Sequence, residues 1–210
     1  MIEKRIVKIG NIETGKRNNI CDVNGVLVGH STVESDNVHT GITAILPHNG
    51  NMFREKVVGA SYSYNGYGKS MGLIQVEELG TIETPILLTN TLNIGKVSDG
   101  LISYMIKDNP EIGVSTSTVN PIVMECNDGS INEIQLRVLD EKNVLEAINN
   151  ASDDFKQGNI GGGTGMKCHG FKGGIGSSSR IVKYDDKEYT IGVLLNSNFG
   201  ESNGKNLFTT

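Results

Sequence analysis

Gly158–Arg180 reads GNIGGGTGMKCHGFKGGIGSSSR, and its reading decides how the rest of the chain is understood. Nine of the chain's 27 glycines fall between Gly158 and Gly176. A flexible linker is padded with small polar or charged residues. Here Met166, Cys168, Phe171 and Ile175 stand between the glycines, and Arg180-Ile181-Val182 follow at once as the start of a hairpin. Glycine admits positive φ and lets other atoms approach the backbone closely. The run therefore predicts a shaped backbone surface, buried or nearly so, with N–H groups available to a ligand. The plainer alternative is a close-packed crossing of two layers.

Working outward, apolar periodicity predicts alternating strands and helices. Strands are expected at 26–28, 40–46, 55–64, 85–89 and 121–125. A hairpin is expected from 179–184 and 189–195 around Asp185-Asp186, because Tyr189, Ile191, Val193 and Leu195 alternate with Thr190 and Gly192. Helices are expected at 69–79, at 94–106 with Val97, Leu101, Ile102, Met105 and Ile106 on one stripe, and at 141–151 with Val144, Leu145 and Ile148 inward. The outgoing strand of the hairpin is strongly apolar, yet only a polar tail follows Gly200. Either this hairpin is a sheet edge or the elements that cover it belong to another polypeptide.

Composition narrows the class. The chain has 210 residues, a net charge of −5 and 5% aromatic residues. A chain this long buries roughly 70% of its unfolded surface and needs no metal or disulfide to hold a core. The acidic balance and the lack of a basic aromatic face argue against nucleic acid and against an anionic membrane as partners. No apolar run approaches the ~18 residues of a membrane span, and the first residues lack the apolar block of a signal peptide. Cys21, Cys126 and Cys168 show no paired spacing and are read as reduced thiols of a cytoplasmic protein. The four histidines are scattered, so neither a metal nor any other cofactor is expected.

Motif searches are mostly negative. GGGTGM at 161–166 is not a GxGxxG fingerprint, and GxxxxGK[ST] and GxSxG are absent. A self-cleaving Gly176-Ser177 junction is disfavoured because the serines lead into a strand. Cys168 and His169 are adjacent, and adjacent residues rarely face each other as a dyad.

Five stretches follow one another in the order seen in one enzyme family: TGITAILP from Thr40, NGYGKSMGLIQVEELG from Asn65, TPILLTNTLNIG from Thr84, VNPIVMECNDG from Val119, and the glycine run itself. Over residues 9 to 200 the chain resembles the DmpA-type aminopeptidases, also called L-aminopeptidase D-esterases or β-peptidyl aminopeptidases. The resemblance implies an α/β (α+β) fold, a four-layer αββα sandwich of the DmpA and ornithine-acetyltransferase type, in the plan of N-terminal-nucleophile hydrolases. It implies a precursor that cleaves itself before a Ser or Thr, which then begins a β chain and serves as nucleophile with its own α-amine as base. Residues 1–210 would then be a single domain, the α subunit, with the β subunit on a separate chain. Thr209 and Thr210 stand near the expected cleavage point, where Gly or Asn would be usual.

The same resemblance assigns roles to residues. Asn198, in Asn198-Phe199-Gly200, maps to the family's oxyanion donor, while the reading from residues alone makes it a turn former before Gly200. Gly163, Gly165 and Gly174 would wall the substrate cleft with their backbone. Family members often carry an aromatic residue after the Asn-Asp-Gly turn, where this chain has Ser130. Tyr64 or Tyr67 are the candidates to replace it. The implied substrates are short peptides, amides or esters, and the implied assembly is a homo-oligomer of αβ units. Two rivals remain open: ornithine-acetyltransferase-like acyl transfer, and a non-catalytic glycine-loop binding module.

Overall fold

The computed structural model describes residues 9–200. Thr209 and Thr210 lie outside the described residues. The chain opens with two long strands, β1 (Leu27–Ser35) and β2 (Val38–Leu46), followed by β3 (Val57–Val58), helix α1 (Leu73–Leu79), β4 (Thr81–Ile82) and β5 (Ile86–Asn90). Helix α2 (Ile94–Asp108), β6 (Ile122–Cys126) and helix α3 (Glu141–Asn149) come next. The short strands β7 (Lys167–Cys168) and β8 (Phe171–Lys172) precede the long hairpin of β9 (Gly174–Tyr184) and β10 (Lys187–Ser197). The fold is mixed α/β.

One sheet has the order β1-β2-β5-β6. Its first two pairings are antiparallel and β5-β6 is parallel. A parallel pairing needs a crossover, and α2 lies between those strands in the chain. One face of the sheet presents Ile42, Ala44, Leu87 and Val123 to Val97, Leu101 and Met105 of α2 and to Val144, Ala147 and Ile148 of α3, forming the main core. The opposite face presents Thr32 and Thr43 to a tight turn at Gly161–Gly163. The β9-β10 hairpin lies beyond that turn, with Leu194 in a second apolar cluster built on Cys21, Val26 and Val28. The described residues thus give a helix–sheet–sheet order of layers.

Local signals explain the helices. Asp140 closes a reciprocal cap with Asn143 at the start of α3. In α2, Val97, Leu101 and Met105 recur every four residues and are buried, whereas Ile106 ends the turn at 44% exposed.

Several boundaries differ from expectation, each for a physical reason. The first strand runs on to Ser35, because its polar residues find partners on both faces: Ser31 donates to Glu146, and Thr32 accepts from the Gly161 N–H. The strand expected over 55–64 shrinks to β3, which pairs only with two-residue β4, and Tyr62 and Tyr64 stand in the open. The helix expected from Lys69 starts at Leu73, because Gly72 takes a positive φ of 84° against the Pro121 carbonyl. The hairpin's first strand begins at Gly174 and not at Ser179, so Ser177 and Ser179 sit within a strand. Their hydroxyls bond Val193 and Asp22 respectively.

The outer face of β10 is apolar. Tyr189, Ile191, Val193 and Leu195 are each about half exposed, at 48 to 57%.

The glycine turn predicts a contrast in stability. A Cβ on Gly165 would fall 2.2 Å from the His39 carbonyl and 2.7 Å from Asp128 Cβ, whereas a Cβ on Gly95 in α2 would meet nothing within 4 Å. Thermal unfolding of the whole protein should show Gly165→Ala destabilising by about 1–3 kcal/mol and Gly95→Ala neutral or stabilising by up to about 1 kcal/mol.

Candidate active site

The glycine run is seated on the sheet by a directed series of hydrogen bonds. His30 Nε2 lies 3.0 Å from the Lys156 carbonyl, and its Nδ1 lies 2.9 Å from Thr43 Oγ1. A carbonyl only accepts, so Nε2 carries the proton and Nδ1 receives the Thr43 hydroxyl. Burial pushes the His30 pKa down, which keeps the ring neutral. Thr43 Oγ1 then accepts from the Gly162 N–H at 3.1 Å, and Thr32 Oγ1 accepts from the Gly161 N–H at 2.8 Å. From the other side the Asn196 amide of β10 donates to the Gly162 carbonyl at 3.1 Å.

The three glycines singled out from the sequence lie in this seat, and all are buried. Gly163 donates its N–H to Ile160, and a Cβ there would stand 2.6 Å from Ile175 N. Gly174 donates its N–H to Ser197 Oγ at 3.0 Å. Lys172 closes the loop by donating to the carbonyls of Gly163, Met166 and Gly173 at 2.8 to 3.2 Å. Partial burial pushes its pKa down. The N–H groups of Gly161, Gly162, Gly163 and Gly174 are therefore spent inside the chain. At those four positions the run serves the close approach of layers.

Beyond the seat, β10 ends and the chain turns out as Asn198-Phe199-Gly200. A cleft of about 470 Å³ opens there, lined by Tyr67, Asn127, Ser130, Lys167, Asn198, Phe199 and Gly200. It gathers four separate parts of the chain: the segment before α1, the turn after β6, β7 and the end of β10. Ser130 lies in the wall, and Tyr67 lines the cleft whereas Tyr64 does not. His169 turns its ring edge-on to Phe199 at 5.5 Å, and its backbone N–H donates to the Phe199 carbonyl at 2.8 Å.

Asn198 is held in this wall by its amide. Nδ2 donates to the Asn127 carbonyl at 3.0 Å and to the Lys167 carbonyl at 3.2 Å. Both hydrogens are engaged. Presenting one of them to a developing negative charge means releasing the longer contact, to Lys167, while the Asn127 bond remains as tether.

Two carboxylates adjoin the cleft wall without lining it, and the sequence reading gave neither a role. Glu125 receives the Lys69 N–H at 2.8 Å and the Thr91 hydroxyl, so it clamps the Tyr67 segment to the end of β6. Asp128 is 1% exposed and accepts from Thr40 Oγ1 at 2.7 Å and Asn132 Nδ2 at 3.0 Å. Burial raises its pKa, and those hydrogen bonds pull it back. Between the two, burial pushes the Cys126 thiol up to about 11, with the charges of Glu125 and Asp128 adding to the effect. A thiol so perturbed is a poor nucleophile at neutral pH. The signal was Glu125, Asn127 and Asp128 at the end of an apolar strand, where side chains alternate between a buried face and an open one.

Comparison with known proteins fits this geometry. The family model for Peptidase family S58 matches residues 18–209. A β-peptidyl aminopeptidase, BapA, of Sphingosinicella microcystinivorans is 37% identical over 196 residues, which is 89% of this chain and 48% of the relative. The PH0078 protein of Pyrococcus horikoshii superimposes with a TM-score of 0.91 at 52% identity, over 93% of this chain and 58% of that one. The L-aminopeptidase D-Ala-esterase/amidase of Ochrobactrum anthropi, described as a variant of the Ntn-hydrolase fold, superimposes with a TM-score of 0.84 at 32% identity, over 92% and 56%. The chain spans about half the length of the curated relative it matches. With nearly its whole length matched by the family model, the chain belongs to peptidase family S58.

Proposed function

We propose that this chain is the α-subunit part of a self-processing N-terminal-nucleophile aminopeptidase or amidase, which releases N-terminal residues from short peptides, amides or esters. The observation that carries the reading is the cleft at the end of β10, where the Asn198 amide faces the turn after β6 with Tyr67 in the same wall. The names of its relatives point the same way.

In this reading a Ser or Thr at the new N-terminus of the β chain attacks the substrate carbonyl, and its α-amine takes the hydroxyl proton. Carbonyl oxygen becomes an oxyanion in the tetrahedral intermediate. Asn198 donates one Nδ2 hydrogen to it and keeps the other on the Asn127 carbonyl, so the donor is held in place before charge develops. The proton returns to the leaving amine, and water then releases the acyl group. The substrate's own ammonium group needs a carboxylate, and Glu125 supplies one beside the Tyr67 segment. Gly163, Gly165 and Gly174 let the glycine run lie thin enough to back the cleft.

The same reading accounts for the outer face of the hairpin. Tyr189, Ile191, Val193 and Leu195 form the surface on which the β chain packs, and αβ units assemble further into a homo-oligomer. Among the described residues no helix is long and apolar enough to cross a membrane. Cys21, Cys126 and Cys168 are free thiols, as suits a reducing cytoplasm.

Steady-state kinetics of the full-length gene product on aminoacyl amides tests the reading. Asn198→Ala should lower kcat by about 10²–10³ with KM little changed. Wild-type kcat in that variant would remove Asn198 from the oxyanion site. Glu125→Gln should lower kcat/KM about tenfold or more for a substrate with a free amine, and should leave the matching substrate without that amine unaffected. An equal loss on both substrates would reduce Glu125 to the clamp on Tyr67.

A further inference from the structure

A buried polar chain that the hydrolase mechanism leaves unused ends under Asn198. Asn93 Nδ2 donates to Asn90 Oδ1 at 3.0 Å, Asn90 Nδ2 donates to Thr40 Oγ1 at 2.8 Å, and the Thr40 hydroxyl donates to Asp128 Oδ2 at 2.7 Å. All the donors point the same way, and each bond polarises the next until the series ends on a carboxylate. Asn93, Asn90, Thr40 and Asp128 are each at least 98% buried.

Such a cluster is costly to keep. An apolar set of similar volume would hold a core at least as well. What the cluster supplies is a fixed carboxylate with one orientation. Asp128 accepts Asn132 Nδ2 at 3.0 Å on its other oxygen, and its backbone carbonyl takes the N–H groups of Ile131 and Asn132 at 3.0 Å. The turn after β6 is locked from both ends of the residue. The peptide group that enters Asp128 carries the Asn127 carbonyl, and that carbonyl tethers Asn198 at 3.0 Å. Gly165 covers the carboxylate, since a Cβ there would reach 2.7 Å from Asp128 Cβ.

We propose that Asp128 is a positioning residue for Asn198. Its buried carboxylate, oriented by Thr40, fixes the Asn127 carbonyl, and that carbonyl aims the Asn198 amide into the cleft. The proposal rests on the hydrolase reading above. It predicts that Asp128 matters to catalysis through Asn198 and by no other route.

A double-mutant cycle on the full-length protein, with kcat and KM read on an aminoacyl amide, tests it. Asp128→Asn alone should lower kcat about 10- to 100-fold with KM within about twofold. The same change placed in Asn198→Ala should cost less than about twofold further, because coupled residues are not additive. Multiplicative losses would mean that Asp128 acts elsewhere and would overturn the proposal. Unchanged kcat in the single variant would do the same. Should Asp128→Asn fail to fold, Thr40→Val keeps the carboxylate but removes the hydroxyl that orients it. The same pattern is then required, with a loss in wild type that vanishes beside Asn198→Ala. An inactive wild type would bring down the hydrolase reading itself, a result distinct from an active wild type that ignores Asp128.

Discussion

Two sheets can meet through bare backbone only where no side chain stands between them, and the turn at Gly161–Gly163 meets that constraint. A Cβ on Gly161 would fall 2.7 Å from His30 Nδ1, and one on Gly162 would fall 2.7 Å from the Leu88 carbonyl. With those atoms absent, Thr32 and Thr43 reach the turn's N–H groups from one sheet while Asn196 reaches its carbonyl from the other. The spacing thus set carries β10 to the level of the turn after β6.

The site inherits its rigidity from this contact. Asn198 sits at the end of an eleven-residue strand, paired along its whole length with β9. Its amide is fixed to the backbone of two other segments. In the proposed mechanism the Asn127 bond keeps this donor oriented while the Lys167 contact gives way to the developing charge. The same strand shows solvent an apolar face of Tyr189, Ile191, Val193 and Leu195.

Much of the architecture was legible in the sequence because it rests on local patterns. The Val97-Leu101-Met105 spacing marked α2, and the alternation of Tyr189 to Leu195 marked β10. The unequal parts were those that depend on distant partners. Nothing near Ser31 or Thr32 in the chain shows that Glu146 and Gly161 satisfy them, so β1 was read too short. Tyr62 and Tyr64 alternate as a strand does, but no neighbour runs beside them long enough to make one. Motif order singled out Asn198 and left Tyr64 and Tyr67 as alternatives, and the structure puts Asn198 and Tyr67 on one cleft. Glu125 and Asp128 were not legible, because their meaning lies in Lys69, Thr40 and Asn132, residues from 4 to 88 positions away.

Intact-mass analysis with N-terminal sequencing of the full-length gene product bears most directly on the central claim. The account predicts two chains, the smaller beginning with Ser or Thr and copurifying with the larger through the apolar face of β10. A single uncleaved polypeptide that still hydrolyses aminoacyl amides would contradict the N-terminal-nucleophile mechanism and with it the role given to Asn198.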